Sequence, residues 1–175
     1  MLKIEIKPLV PEDYETYIKV GQKAYNEHYR HLWPNGDTRT YIETSFTTEV
    51  LLKEEKDKNT SLYIIYTDGE AVGILKIIHD SPLKNFNSSE ALLLDKIYIL
   101  RAYSGKGIGR KILDFVTDKA LRLNKKIVWL DTMQKGLALH FYLKNGFKMY
   151  CDSLLPFENA IEKEKPMYIL TKQLE

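Results

Sequence analysis

Three glycines lie at alternate positions near the middle of the chain, immediately before a segment with a helical pattern. They are Gly105, Gly107 and Gly109, and the cations beside them are Lys106 and Arg110. Without Cβ atoms, successive backbone N–H groups can converge on one ligand, and a helix start adds a partial positive charge. This arrangement suits a phosphate or a pyrophosphate. The alternative is a glycine-rich turn that only allows a strand and a helix to pack closely.

Two common phosphate-binding patterns do not fit this stretch. The dinucleotide fingerprint Gly-x-Gly-x-x-Gly requires a third glycine where the chain has Arg110. The P-loop requires two glycines five positions apart, followed by Lys and by Ser or Thr, and no register here supplies them. Neither pattern therefore describes this loop.

The segments around the loop alternate between strand and helix patterns. Their predicted order is strand, two helices, three strands, helix, strand, helix and two strands, which indicates a single α/β domain over residues 1–175 with a mixed sheet. Asp68-Gly69 predicts a tight turn between the second and third strands. Residues 91–100 are almost continuously apolar, as expected for a strand covered on both faces. This strand leads into the glycines and a helix over 107–123.

The composition limits the classes of partner. The 26 basic and 24 acidic residues give a net charge of +2, too small to favour nucleic acid or a membrane surface. A single cysteine, Cys151, excludes an internal disulfide and a cysteine-based zinc site, and we expect no metal. The N-terminal residues lack the apolar core of a signal peptide, and no run approaches the roughly 18 apolar residues of a membrane span. We expect a cytoplasmic protein.

Two motifs resemble those of the GNAT acetyltransferase superfamily. Residues 92–113, LLLDKIYILRAYSGKGIGRKIL, are similar to its strand, short connection and Gln/Arg-x-x-Gly-x-Gly/Ala helix start. Gly107 and Gly109 take the two glycine places, whereas Ser104 stands where Gln or Arg is usual. Residues 138–147, ALHFYLKNGF, resemble the family's A-x-x-F-Y-x-x-x-G-F. The order of predicted elements also matches over essentially the whole chain.

The resemblance implies the GNAT fold, a mixed and mostly antiparallel sheet flanked by about four helices. It also implies transfer of an acetyl group from acetyl-CoA directly to a primary amine. Many members carry an Asn near the start of the second motif's helix, where this chain has Gly136 and Leu137. The residues expected to bind coenzyme A are Ile97, Tyr98, Ile99, Ser104, Gly105, Lys106, Gly107, Ile108, Gly109, Arg110 and Lys144.

The implied reaction needs a proton acceptor and a proton donor. An amine with a pKa of roughly 10 is about 0.1% neutral at pH 7, so the site must remove a proton. Asp95 lies near the position where members often place an acid, and we expect it to be the base, to hold a relay water or to pair structurally. Tyr142 matches the family's tyrosine that faces the sulfur, the alternative being simple packing. The amides of Ile97 and Ile99 are expected to polarise the thioester carbonyl and to pair with pantetheine.

The acceptor is less clearly indicated. The segment YIETSFTTEVLLKEE, residues 41–55, and the overall layout are similar to bacterial spermidine/spermine N-acetyltransferases, which implies a polyamine acceptor. Trp33, Tyr41 and Glu43 are predicted to line its groove through cation–π contacts and charge. The alternative is surface or core packing for the aromatic residues and a solvated surface for Glu43. Other amines stay open, namely a protein N-terminus, an amino acid or an aminoglycoside. So does a non-catalytic acetyl-CoA sensor, and the resemblance allows a homodimer.

Overall fold

A computed structural model describes residues 3–174. Seven strands form one sheet. In chain order, β1 to β7 are Ile4–Pro8, Thr60–Thr67, Glu70–Ile78, Ala91–Ile99, Ile127–Met133, Lys148–Leu154 and Pro166–Gln173. The helices α1 to α5 are Tyr14–Tyr29, Arg39–Ser45, Thr48–Lys56, Ile108–Arg122 and Leu137–Lys144. No helix within residues 3–174 is long and apolar enough to cross a membrane.

The sheet has the order β1-β2-β3-β4-β5-β7-β6, and every neighbouring pair is antiparallel except β4 with β5. This confirms the predicted mixed, mostly antiparallel sheet. The turn between β2 and β3 is also confirmed, because Asp68 and Gly69 both have positive φ, as a two-residue type I′ turn requires. The expected second helix is divided into α2 and α3, since the Thr47 hydroxyl caps a new start by accepting from Val50 N–H.

Helices cover both faces of the sheet. Helix α4 presents an apolar stripe to one face, where it packs on β-strand residues such as Leu92 and Val128. Helices α1, α2 and α3 cover the opposite face, and their cluster is rich in aromatic side chains. The inward residues of α1 recur at helical spacing, and they are Tyr14, Tyr17, Gly21, Ala24 and Tyr25. The aromatic layer therefore lies between α1 and the sheet.

Gly21 is the point of closest approach between α1 and this aromatic layer. A Cβ built there would overlap the ring of Phe46, at 2.7 Å from Cδ1 and 2.8 Å from Cζ. Phe46 is 1% exposed, and the rings of Tyr17, Tyr41 and Tyr98 surround it. Since these neighbours prevent the ring from moving aside, the chain needs glycine at this helical position for space.

Gly21→Ala tests that conclusion, because two effects of opposite sign compete. Helix propensity favours alanine by about 1 kcal/mol, whereas overpacking a closed core costs about 1–3 kcal/mol. The contact is short enough for overpacking to win, so we expect the free energy of unfolding to fall by about 1–2 kcal/mol in urea titrations. Lys23→Ala, at an exposed position of the same helix, is the control and should stay within about 0.5 kcal/mol. An alanine variant more stable than the parent would contradict the assignment.

Candidate active site

The strands β4 and β5 separate after a short parallel contact. Their paired residues are Ala91 with Ile127, Leu92 with Val128 and Leu93 with Trp129, although both strands continue beyond these pairs. The gap opens into a cavity of about 490 Å³ that is lined by residues of α1, α2, β3, β4, β5 and α5 and of the segment after β6.

The edge of β4 presents backbone groups to this gap. Leu100 N–H donates to the Val72 carbonyl of β3 at 2.9 Å. Because backbone groups alternate along an antiparallel strand, the N–H groups of Ile97 and Ile99 face the other way, into the gap. One carbonyl on that edge is already used, since His28 Nε2 on α1 donates to the Ile99 oxygen at 2.9 Å. Sequence reasoning did not identify His28.

A β-bulge places two consecutive charged residues of β4 on the cavity wall. Lys76 of β3 pairs with Lys96, and the next residue, Ile77, pairs with Leu94. Asp95 is therefore the extra residue in β4. Without the bulge, Asp95 and Lys96 would point to opposite faces of the sheet, but both line the cavity.

Asp95 is shared between two lysines. Its Oδ2 lies 3.2 Å from Lys76 Nζ and 3.5 Å from Lys96 Nζ, and Lys76 Nζ also lies 2.5 Å from Glu54 Oε1. Burial alone would lower the pKa of Lys76, but the carboxylates of Asp95 and Glu54 outweigh it and the pKa is raised. At Lys96 burial dominates, so its pKa is lowered despite Asp95. These contacts fit the expected structural pairing of Asp95 and leave its catalytic role as a hypothesis.

Asp131 of β5 is a second carboxylate on the cavity wall. Burial raises the pKa of its carboxyl from the usual 3.8, the negative charge of Asp95 adds to this effect, and the Ser153 hydroxyl opposes it. A lone charge within the apolar strand IVWLDTM was a usable sequence signal, as was Lys76 in EAVGILKII. Neither residue was among the sequence-based candidates.

Tyrosines form the α1 and α2 side of the cavity. Tyr25 stacks on Tyr41 with ring centroids 3.9 Å apart, and the hydroxyls of Tyr41 and Tyr98 are hydrogen-bonded at 2.5 Å. Burial raises the pKa of Tyr25, Tyr41 and Tyr98, so these phenols stay neutral near pH 7. Tyr29 and Phe157 complete the aromatic wall.

The three predicted acceptor residues occupy different places. Tyr41 lines the cavity. Trp33 is 1% exposed and lies one layer behind, where its indole N–H donates to the Tyr25 hydroxyl at 3.0 Å. Glu43 is exposed and lies outside the cavity wall. Tyr98 directs its side chain into the aromatic wall, and its contact with coenzyme A stays a prediction.

Tyr142 reaches the cavity from α5. Its ring packs against those of Phe141 and Phe147. Burial raises the pKa of the phenol, and the neighbouring Tyr29 adds to the shift. The hydroxyl is therefore protonated throughout the neutral range and available as a donor.

The glycine loop begins after a short turn at Arg101–Tyr103 and ends in α4. Gly105 has φ +75° and Gly107 has φ +83°, and a Cβ at either would meet nothing within 4 Å. Glycine is required at both positions because of this left-handed backbone, not because of crowding. The loop is exposed except at Ile108, which is 1% exposed and offers a ligand only its backbone.

Gly109 has a different reason to be glycine. A Cβ there would lie 2.8 Å from Cζ of Phe141, so the residue allows α4 and α5 to approach closely. The close-packing explanation therefore applies to this glycine, whereas the loop conformation explains the other two. Lys106 and Arg110 flank the first turn of α4, and Lys144 is exposed at the end of α5. The N–H groups of that first turn have no carbonyl within the helix.

The described residues contain no group of three His, Cys, Asp or Glu side chains that could hold a metal ion.

The chain is similar to a spermidine N(1)-acetyltransferase of Thermoplasma acidophilum, 28% identical over 85% of this chain and 90% of the relative. It is 20% identical to an uncharacterized N-acetyltransferase of Lactobacillus delbrueckii over 87% of this chain and 88% of that protein.

Solved structures share the fold. The PaiA N-acetyltransferase of Thermoplasma acidophilum, crystallised in complex with coenzyme A, gives a TM-score of 0.76 at 20% identity, covering 98% of this chain and 99% of that one. The spermidine/spermine N-acetyltransferase SpeG of Vibrio cholerae gives 0.67 at 14% identity, covering 98% and 92%. The Acetyltransferase (GNAT) domain family matches residues 58–149, more than half of the chain and including the β4–β5 gap and the glycine loop. The chain therefore belongs to the GNAT acetyltransferase family.

Proposed function

We propose that this enzyme transfers the acetyl group of acetyl-CoA directly to a primary amine, and that the amine is a polyamine such as spermidine. The observation that supports transfer best is the gap between β4 and β5, which joins an unpaired strand edge to a cavity holding carboxylates and tyrosines. The similarity to a spermidine N(1)-acetyltransferase supports the choice of acceptor. Acetyl-CoA supplies an acetyl thioester, and the chain supplies the binding and proton-transfer groups.

The residues of the loop and the gap fit coenzyme A. The N–H groups at the start of α4 would hold the pyrophosphate, where Gly105 and Gly107 adopt left-handed conformations and Lys106 and Arg110 add positive charge. Ser104 cannot make the ionic contact of an arginine there, so the main chain contributes more of the binding. The N–H groups of Ile97 and Ile99 on the gap edge of β4 would hold the pantetheine arm through backbone hydrogen bonds, as they would an added strand.

The Ile97 N–H lies on the gap edge of β4, beside Asp95 and Lys96, and polarises the thioester carbonyl. Tyr142 stands across the gap and donates to the sulfur. A free thiol has a pKa of about 8.5 and a free phenol about 10, and burial raises the phenol further. Complete proton transfer to the thiolate is therefore uphill, and Tyr142 acts first as a hydrogen-bond donor while negative charge develops on the sulfur.

Charge and aromatic surface in the cavity favour a cationic acceptor. Asp95, Asp131 and Glu54 contribute three negative charges against two positive charges from Lys76 and Lys96, which leaves the cluster with an excess of one negative charge. The lowered pKa of Lys96 increases that excess whenever its ammonium loses a proton. The tyrosine wall can contact the methylene chain and the ammonium groups of a polyamine.

Tyr142→Phe should lower kcat by about 10- to 100-fold with little change in the KM for the amine, because the lost hydrogen bond forms at the sulfur during bond breaking. Stopped-flow or steady-state measurement of thiol release gives both constants. Tyr150→Phe is the matched control, since the Tyr150 hydroxyl is buried with no hydrogen-bond partner in residues 3–174. The proposed role of Tyr142 fails if its variant turns over at the parental kcat.

The acceptor assignment is tested by following thiol release from acetyl-CoA with spermidine, spermine, single amino acids, an aminoglycoside and a short peptide. Saturation by spermidine at the lowest concentration, with acetylspermidine identified by mass spectrometry, is the expected result. Thiol release with only another of these amines would assign that amine as the acceptor in place of a polyamine. Tight acetyl-CoA binding by calorimetry without release by any amine would indicate a sensor.

A further inference from the structure

The two carboxylates of the cavity differ in what already binds them. Asp95 is held by Lys76 and Lys96 at 3.2 and 3.5 Å. Asp131 forms no ion pair with any cation in residues 3–174, although it lines the same cavity. An incoming ammonium therefore meets one carboxylate whose charge is already compensated and one whose charge is not.

We infer that Asp131 binds the ammonium group of the acceptor and accepts its proton, whereas Asp95 holds the two lysines in place. The inference rests on the proposed function, since it assigns a residue to the amine side of that reaction. It makes Asp131 a catalytic residue and Asp95 a positioning residue.

The register of the sheet places Asp131 opposite Asp95, at the same height along the gap. The last parallel pairs join Leu92 to Val128 and Leu93 to Trp129, and the same offset aligns Asp95 with Asp131 on opposite sides of the gap. Ile97 lies two residues beyond Asp95 on β4, and its N–H faces the same gap. An ammonium bound by Asp131 therefore lies near the edge along which the thioester is proposed to bind.

The surroundings make Asp131 a stronger base than an ordinary aspartate. Burial raises the pKa of the carboxyl, the charge of Asp95 raises it further, and the Ser153 hydroxyl opposes both. Asp131 also stays exposed enough to release a proton to water after the reaction. The other titratable side chains that line the cavity are Tyr25, Tyr29, Tyr41, Lys76, Asp95, Lys96, Tyr98 and Tyr142.

The protons balance as follows. An N–H bond of the ammonium breaks, and its proton passes to a carboxylate oxygen of Asp131. The neutral nitrogen bonds to the thioester carbonyl carbon, and the carbon–sulfur bond breaks. The sulfur takes the phenol proton of Tyr142, and the phenolate regains a proton from the nitrogen. Asp131 then loses its proton to water, so one proton is released for each amide formed.

The test is the pH profile of kcat/KM in Asp131→Asn. An enzyme that binds the ammonium form and removes its proton shows kcat/KM rising through the Asp131 pKa, a plateau, and a fall above the amine pKa of about 10. Asp131→Asn lacks the carboxylate that accepts the proton, so it can use only the small fraction of the amine that is already neutral. We expect its kcat/KM at pH 7 to fall on the order of 100-fold and to rise tenfold per pH unit up to about pH 10.

Three further variants make the result specific. Asp131→Glu should keep the plateau, because it restores a carboxylate. Asp95→Asn should keep the plateau and raise the KM for the amine, because Lys96 loses its carboxylate partner and Lys76 loses one of its two. Asp152→Asn, an exposed carboxylate on β6 outside the cavity, is the control and should match the parent. Acetyl-CoA binding measured by calorimetry should be the same in all four variants, which checks that each is folded.

The outcomes separate this inference from the proposed function. A parental plateau in Asp131→Asn with spermidine as substrate would overturn the role of Asp131 and leave polyamine acetylation intact. If the plateau is lost in Asp95→Asn instead, Asp95 and not Asp131 is the residue that accepts the proton. If the enzyme acetylates a different amine, and the kcat/KM plateau for that amine disappears in Asp131→Asn, the role of Asp131 is supported and the polyamine assignment is overturned. Absence of transfer to every amine would overturn both proposals.

Discussion

The separation of β4 from β5 after three residue pairs is the constraint on which the rest of the site depends. A continuous parallel pair would satisfy the Ile97 and Ile99 N–H groups within the sheet and close the cavity. Because the strands diverge, one strand edge is available to a ligand, and side chains from both strands face a common space. The bulge at Asp95 adds to this effect by placing two successive charged residues on the same wall.

Charge in the cavity is arranged around that gap. Lys76 and Lys96 are nearly buried, with side chains 12% and 10% exposed, and they persist there because Asp95 and Glu54 compensate them. This cluster occupies the β3–β4 side. The β5 side has a carboxylate with no cation partner among residues 3–174, so the two walls of the gap differ in electrostatic character.

The local features of the site could be predicted from sequence, whereas its tertiary relationships could not. Glycine spacing and the A-x-x-F-Y motif identified the loop and the tyrosine because both are contiguous in the chain. The pairing of Asp95 with Lys76 depends on the register of two strands, and no pattern in either strand specifies it. Trp33 was predicted as a groove residue from its chemistry, but residue type does not determine whether a ring forms the wall or the layer behind it. Asp131 was not predicted because it belongs to no motif, and its only signal in the sequence is a single charge inside an apolar strand.

The contact between Gly109 and Phe141 connects the two motifs of the family physically. Gly109 belongs to the helix that begins at the phosphate-binding loop, and Phe141 precedes Tyr142 on the helix that faces the gap. Because Gly109 has no Cβ, these two helices can approach each other closely. Substitutions at the two positions should therefore be coupled: a larger residue at 109 is tolerated when 141 becomes smaller. Among homologous sequences this pair should vary together, although its members belong to different motifs.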